Sequence, residues 1–278
     1  MSTRLTGGRQ VPFGGNCVRI SSDSPAIFNA LAAHFRHCSA ETGRVIAQYH
    51  ITAITETCFS ISVDGSVFYP ELTFEQVLWS LMQDGITRLN GTCVTDPIFH
   101  AAALENAGSG VILCGQSGSG KSSLAAWLLT SGFRYLTDEV ITYAVESGQI
   151  SGLARSLILK RGSAFIWQHW LGEAERDGFL RFTDGSAWID PLLLNVDGIC
   201  TQTTPRLLFF PHYTPDTSFR VTKLSPAEAL FRLLQTLVNA RNLADTGMKA
   251  AACLVRRVTA YSLDYSDIES ATAWIKQA

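Results

Sequence analysis

The run Gly115-Gln116-Ser117-Gly118-Ser119-Gly120-Lys121-Ser122 constrains the fold of this 278-residue chain more than any other feature. It satisfies the spacing GxxxxGK[ST] in full. Its flanks fit as well: the apolar stretch VILC (111–114) precedes it, and an apolar helical pattern follows from about Gly120 to Ser131. The glycines let backbone N–H groups turn inward and approach phosphate oxygens with no Cβ in the way. The N-terminus of the helix adds the positive end of its dipole. Lys121 is spaced to reach β- and γ-phosphates, and the Ser122 hydroxyl to ligate Mg²⁺. Strand, tight turn and helix in that order imply an α/β core with a nucleotide-phosphate site. A glycine-rich turn that binds nothing is the plain alternative, and the two flanks argue against it. The loop alone does not choose among kinase, ATPase, GTPase and transport motor.

Composition removes other classes. Hydrophobic residues make up 46% and charged residues 17%, which is enough to build a core and excludes disorder as the main state. Lys and Arg number 22 against 24 Asp and Glu, so the formal charge is −2 and there is no basic surplus to coat a nucleic acid. The seven cysteines (Cys17, Cys38, Cys58, Cys93, Cys114, Cys200 and Cys253) are scattered, with no CxxC pair, and read as thiols in a reducing compartment. The segment MSTRLTGGRQ has no apolar run behind its charges, and no stretch approaches the ~18 apolar residues of a membrane span. The expectation is a cytoplasmic protein with no membrane and no nucleic-acid partner.

Local signals give a coarse map. Residues 1–16 read as Gly-rich, polar and prone to fray. Ser24-Pro25 opens a helix carrying Ile27, Phe28, Leu31 and Phe35 at helical spacing. Phe59, Ile61 and Val63 alternate with Ser60 and Ser62 before Asp64-Gly65 and Val67-Phe68-Tyr69, the pattern of a hairpin. Thr73 and Gln76 form a capping box ahead of a second helix. Further strands are expected at 133–136, 140–144, 157–160, 206–210 and 254–261. Helices are expected from Ser225 to about Ala240 and after Ser266. This divides the chain into a small α+β domain, 1–92, and an α/β domain, 93–278.

Two neighbours of the loop carry chemistry. His100 lies fifteen residues before Gly115, and Asp138 seventeen residues after Lys121, with Glu139 beside it. Adjacent acids between short apolar segments suit a strand end facing the loop, where one could help hold Mg²⁺ and the other take a proton from an attacking hydroxyl. The same pair also reads as an ordinary solvated turn, and a lone His as a structural one.

The order His100, then GxSGxGKS, then an acid pair resembles the catalytic domain of the HPr kinase/phosphorylase family, over roughly residues 97–240. Segments 153–160 (LARSLILK) and 209–211 (FFP) add to the likeness. The resemblance implies a P-loop core of the HPr-kinase/PEP-carboxykinase type, with ATP and Mg²⁺ as its cofactors. It implies an ATP-dependent kinase acting on a Ser or Thr hydroxyl of a peptide or small protein, and a possible homo-oligomer. On this likeness Asp138 is the general base, with His100 and Lys121 catalytic beside it. Residues 115–122 and Ser123 hold the nucleotide, Ser122 and Glu139 hold the metal, and Arg155 and Lys160 are candidate phosphate or acceptor contacts, with solvated charge flanking a strand as their plain alternative.

Three departures separate the chain from the carrier-protein enzymes. Ser123 stands where they have Glu, Glu139 where they have a second Asp, and residues 1–92 do not resemble their regulatory domain. The specific HPr substrate and the reverse phosphorylase reaction are therefore not implied. A kinase for a small-molecule hydroxyl and a non-catalytic nucleotide sensor are the rival functions. Neither an LSGGQ-like run nor NKxD is present, which argues against an ABC motor and a GTPase. The aromatic group Trp167, His169 and Trp170 reads as the packing face of a helix. His34 and His37, at metal-ligand spacing but with no third ligand nearby, read as surface histidines.

Overall fold

The computed structural model describes residues 6–38, 43–172, 174 and 176–278. The chain divides into two compact units, Met1–Cys93 and Val94–Ala278. No helix among the described residues is long and apolar enough to cross a membrane.

The first unit runs β1 (Thr6–Phe13), β2 (Asn16–Ser22), α1 (Pro25–His34), β3 (Arg44–Ala53), β4 (Phe59–Val63), β5 (Ser66–Leu72) and α2 (Phe74–Thr92), with its strands side by side in chain order. The segment expected to fray contains β1, paired with β2 through a turn in which Gly14 and Gly15 both take positive φ. Asp64 (φ 51°) and Gly65 (φ 84°) make the equivalent turn between β4 and β5. The Thr73–Gln76 capping box forms as expected. Parallel β2 and β3 are joined by α1, which is capped by Ser24. Buried Val18 and Ile20, then Ala47, Tyr49 and Ile51, then Phe59, Ile61 and Val63 alternate along successive strands. Helix α2 lies close on this sheet: Tyr49 donates to Asp84 (2.6 Å), which also accepts from Arg88 Nε (2.7 Å).

The second unit is a mixed α/β structure. It comprises β6 (Ile98–Asn106), β7 (Ser109–Cys114), α3 (Lys121–Thr130), β8 (Arg134–Thr137), β9 (Val140–Ala144), β10 (Gln149–Gly152), β11 (Leu157–Leu159), α4 (Ala164–Trp170), β12 (Phe179–Arg181), β13 (Ala187–Ile189), β14 (Gln202–Tyr213), β15 (Arg220–Lys223), α5 (Pro226–Leu234), α6 (Met248–Arg257), β16 (Thr259–Tyr265) and α7 (Ile268–Gln277). The main sheet has the order β10-β9-β6-β7-β14-β16-β15. Strand β8 pairs with β6, and β10 also reaches β14. Strands β7, β14 and β16 are parallel. The small sheet is β11-β13-β12.

Period-two alternation splits the main sheet into two cores. Val111, Leu113, Phe209 and Leu263 pack with Leu124, Leu128 and Ile275 of α3 and α7. Ile112, Cys114, Leu208 and Phe210 pack with Leu233, Ala251 and Leu254 of α5 and α6. Each face buries one set of side chains, so a one-residue slip in register would exchange the two.

Two expected elements differ. The helix from Ser225 stops at Leu234 rather than near Ala240, because the following residues become partners for β6. Val238 N donates to Ile98 O (2.8 Å), and the Asn239 side chain accepts from Ile98 N (2.8 Å) and donates to Asp96 O (2.9 Å). The strand expected at 254–261 begins only at Thr259. Residues 254–257 end α6, whose buried Ala251, Leu254 and Val255 recur at helical period.

Candidate functional site

Strand β7 delivers the chain to the 115–122 loop at Cys114, and α3 takes it away at Lys121. Gly118 (φ 88°) and Gly120 (φ 95°) provide the two left-handed positions of the turn. Gly120 is the N-cap of α3 and offers no side-chain cap, so the first amides of the helix keep their donors. A Cβ at Gly120 would stand 2.1 Å from the Tyr265 hydroxyl. Gly120→Ala is therefore expected to cost about 1–3 kcal/mol from backbone strain alone, read by urea unfolding. A loss indistinguishable from zero would contradict the left-handed backbone at Gly120.

Lys121 is buried and folds back into the loop, where Nζ donates to Gly115 O (2.6 Å) and Gln116 O (3.1 Å). Burial pushes its pKa below the ordinary lysine value, opposed by Cys114, Glu139 and Asp138. The Ser119 amide donates to Gln116 O (3.2 Å), while Ser119 Oγ is buried with no hydrogen-bond partner among the described residues. Lys160 donates to Ser117 Oγ (2.9 Å), so a second cation stands over the loop. Ser123 pairs with Ser163 (2.5 Å) rather than with the loop. The arrangement of uncapped amides and two ammonium groups suits an anion.

The acid pair follows β8 in a tight turn. Thr137 Oγ1 donates to Leu153 O (2.9 Å) and accepts from Glu139 N (3.0 Å), which ties the turn to the segment after β10. Gly152 permits that approach, since a Cβ there would lie 2.7 Å from Leu136 O. The segment carries Arg155, whose side chain is 2% exposed. Arg155 Nη1 lies 3.1 Å from Asp138 Oδ1, and Nη2 is bonded to Glu139 Oε2. Asp138 Oδ1 also accepts from the Tyr135 hydroxyl (2.8 Å), and Oδ2 from Ile158 N (3.2 Å).

The two acids thus differ in availability. The Asp138 side chain is 1% exposed with both oxygens engaged, whereas the Glu139 side chain is 26% exposed. Its Oε1 faces His100 Nδ1 at 3.8 Å, and the His100 ring is 37% exposed. Burial would raise the Glu139 pKa, but Arg155 and His100 together hold it below the usual carboxylate value. Burial drives the His100 pKa down, with Glu139 the main opposing charge, so the ring is neutral near pH 7.

No family model matches the chain, and no curated protein matches it in sequence. Among solved structures it is similar to the Hpr(Ser) kinase/phosphatase from Coxiella burnetii, at 13% identity and a TM-score of 0.33, over 65% of this chain and 94% of that one. A likeness this distant decides neither topology nor activity.

The structure brings together His100, Lys121, Asp138, Glu139 and the 115–122 loop, and it adds Lys160 through Ser117. The His100 ring faces Glu139, the second of the two acids, at 3.8 Å. Arg155, a candidate phosphate or acceptor contact or else surface charge, is enclosed by the two acids and the Ser156 carbonyl (2.7 Å). Tyr135, Tyr213 and Tyr265, all in contact with this region, carried no motif. Trp167 packs inward against Phe179 (5.5 Å), as a packing helix implies, while Phe165 and Trp170 lie half exposed beside Trp127. Helix α1 ends at His34, which is buried edge-on to Phe35, so His34 and His37 share no helical face. Among the described residues no group of three or more His, Cys, Asp or Glu is placed to hold a metal ion.

Proposed function

We propose that residues 94–278 form an ATP-dependent phosphotransferase of the HPr-kinase-like type, acting on a Ser or Thr hydroxyl of a peptide or small protein. What carries the reading is one juxtaposition. The glycine loop, with its buried ammonium Lys121, follows Cys114, which pairs with Ala101 of β6, and Ala101 N donates to Glu139 O (3.2 Å), so the Glu139–His100 pair stands on the strand next to the loop.

In this reading the loop amides and Lys121 take the phosphates of ATP, and Lys160 screens their outer charge. Mg²⁺ commonly binds through one or two protein oxygens and the phosphates themselves, so the lack of a protein cage among the described residues is no obstacle, and Ser122, in the first turn of α3, would offer it a hydroxyl. The ion would supply charge neutralisation across the β- and γ-phosphates. Glu139 has one oxygen held by Arg155 and one facing His100, on a partly exposed side chain. We give that second oxygen to the proton rather than to the metal, and we give Asp138 the work of holding Arg155. The acceptor oxygen bonds to the γ-phosphorus as the bond to the β-phosphate oxygen breaks. The hydroxyl proton passes to Glu139, and ADP leaves. The transition state of such a transfer is loose, so positioning and charge stabilisation do most of the work and a weak base suffices.

The test is thermal stability with MgATP, joined to transfer of γ-label from ATP onto a library of Ser/Thr peptides. At nucleotide 100-fold above Kd the native state gains about 2.7 kcal/mol, a rise of roughly 5–10 °C for a unit of this size. Lys121→Ala is expected to abolish both the shift and the label. No shift in the unaltered chain at millimolar MgATP would sink the nucleotide site. A shift without label on any peptide would leave the sensor or the small-molecule kinase in its place.

A further inference from the structure

We propose that the Tyr213 ring is the platform on which the base of the nucleotide stacks, an assignment that rests on the phosphate site proposed above. The order of the strands sets the direction in which a triphosphate must lie. The acids Asp138 and Glu139 sit between β8 and β9, and both strands pair with β6, on one side of β7. On the other side of β7 lie β14 and then β16, both parallel to it. If the transferable phosphate faces Glu139 and His100, the nucleoside end points away from them, over the carboxyl ends of β14 and β16. Ligands of open parallel sheets lie in this position, beyond the carboxyl ends of the strands.

Those two ends carry Tyr213 and Tyr265, which are register partners across the strand pair. Tyr265 is buried, and its hydroxyl donates to Gly120 O (3.4 Å). Tyr213 is 46% exposed, with its ring centroid 5.7 Å from that of Tyr265 at an interplanar angle of 67°. Its backbone N–H donates to Ser119 O (3.2 Å), and the next amide, Thr214 N, donates to Tyr265 O (3.1 Å). The strand end that carries the exposed ring is therefore tied to the loop through its backbone, and the ring lies against a buried neighbour. A rigid, half-exposed aromatic ring beside a phosphate loop matches what a nucleobase needs, since every base offers a π-face to stack.

Stacking of a base on an aromatic side chain is lost on alanine substitution with an affinity cost of roughly 5- to 150-fold. The experiment compares Kd for MgATP and for magnesium tripolyphosphate, by calorimetry, in the unaltered chain and in Tyr213→Ala, Tyr213→Phe and Lys121→Ala. Tyr213→Ala should weaken MgATP by that factor and leave tripolyphosphate within about twofold, while Tyr213→Phe, which keeps the ring, should bind MgATP as the unaltered chain does. Equal weakening of both ligands in Tyr213→Ala would overturn the proposal, because it would mean that the loop itself had moved through the Ser119 contact. Unchanged MgATP affinity would overturn it as well. Binding of neither ligand by the unaltered chain would remove the phosphate site, whereas Lys121→Ala losing both ligands while Tyr213→Ala loses only ATP would sustain both assignments separately.

Discussion

Arg155→Ala is expected to destabilise the second unit by about 3–5 kcal/mol, the usual cost of removing one partner from a buried ion pair. Arg155 is almost fully enclosed and stands between two carboxylates. Without it Asp138 keeps, among the described residues, the Tyr135 hydroxyl and the Ile158 amide as donors, and Glu139 loses the charge that most lowers its pKa. Urea unfolding of the isolated variant reads the loss. The companion pair Arg155→Met with Asp138→Asn should recover part of it, because the enclosed carboxylate is neutralised together with its cation and only the partly exposed Glu139 loses a partner. The sign of the pH dependence follows. A carboxylate whose folded pKa is depressed stabilises the fold above its ordinary value, near 4.3, and this contribution fades as pH falls through the lowered one. The Glu139 share should thus disappear in acid from the unaltered chain and be much reduced in Arg155→Ala, where His100 and Lys121 are left to oppose burial. A stability change under about 1 kcal/mol, as for an exposed arginine, would show that the triad is not buried as described.

The features legible in the sequence are those set by neighbours along the chain. The 115–122 loop, the Ser24 and Thr73 caps and the Asp64-Gly65 hairpin each need only a few adjacent residues, and each stands where the pattern placed it. The site's chemistry was legible only as a set of residue types. Asp138 and Glu139 are adjacent, so their side chains leave the turn in different directions, and nothing local says which one is enclosed. Arg155 decides that from sixteen or more residues further on, through a contact that no spacing rule encodes. Tyr213 and Tyr265 meet because β14 and β16 are parallel neighbours, a pairing invisible until the sheet order is known. The end of α5 fails for the same reason: the apolar pattern runs on past Leu234, but Asn239 and Val238 are claimed by the edge of β6. Where local propensity and long-range pairing compete, the pairing prevails because it satisfies backbone groups that would otherwise be buried alone.

The division of labour between the acids yields the sharpest kinetic contrast. Glu139→Gln keeps an oxygen for Arg155 and nearly the same volume, so the fold should survive while phosphoryl transfer falls by about 10²- to 10⁴-fold, the range for losing a positioned proton acceptor. MgATP affinity should change little, since the loop, Lys121 and Ser122 are untouched. Asp138→Asn should do the reverse: with its oxygen kept for Arg155 and the Tyr135 hydroxyl, the new NH2 faces the Ile158 N–H, so an enclosed donor is left unpaired and the melting temperature falls, while the turnover of the remaining folded protein stays near that of the unaltered chain. The pH profile separates the two further. Arg155 and His100 hold Glu139 below the usual carboxylate value, so its acid limb lies below about pH 4.3 and the rate is level from pH 8 to 6. Burial of His100 adds a stability term of the same sign. Its folded pKa is depressed, so the neutral ring favours the fold above about pH 6.5 and the term is lost as pH falls below that point. Activity lost between pH 6 and 5 should therefore track unfolding rather than base titration, which melting curves at each pH distinguish. A hundredfold drop in Asp138→Asn at unchanged melting temperature would reassign the proton to Asp138, and would require Arg155 to release that carboxylate when the substrates bind.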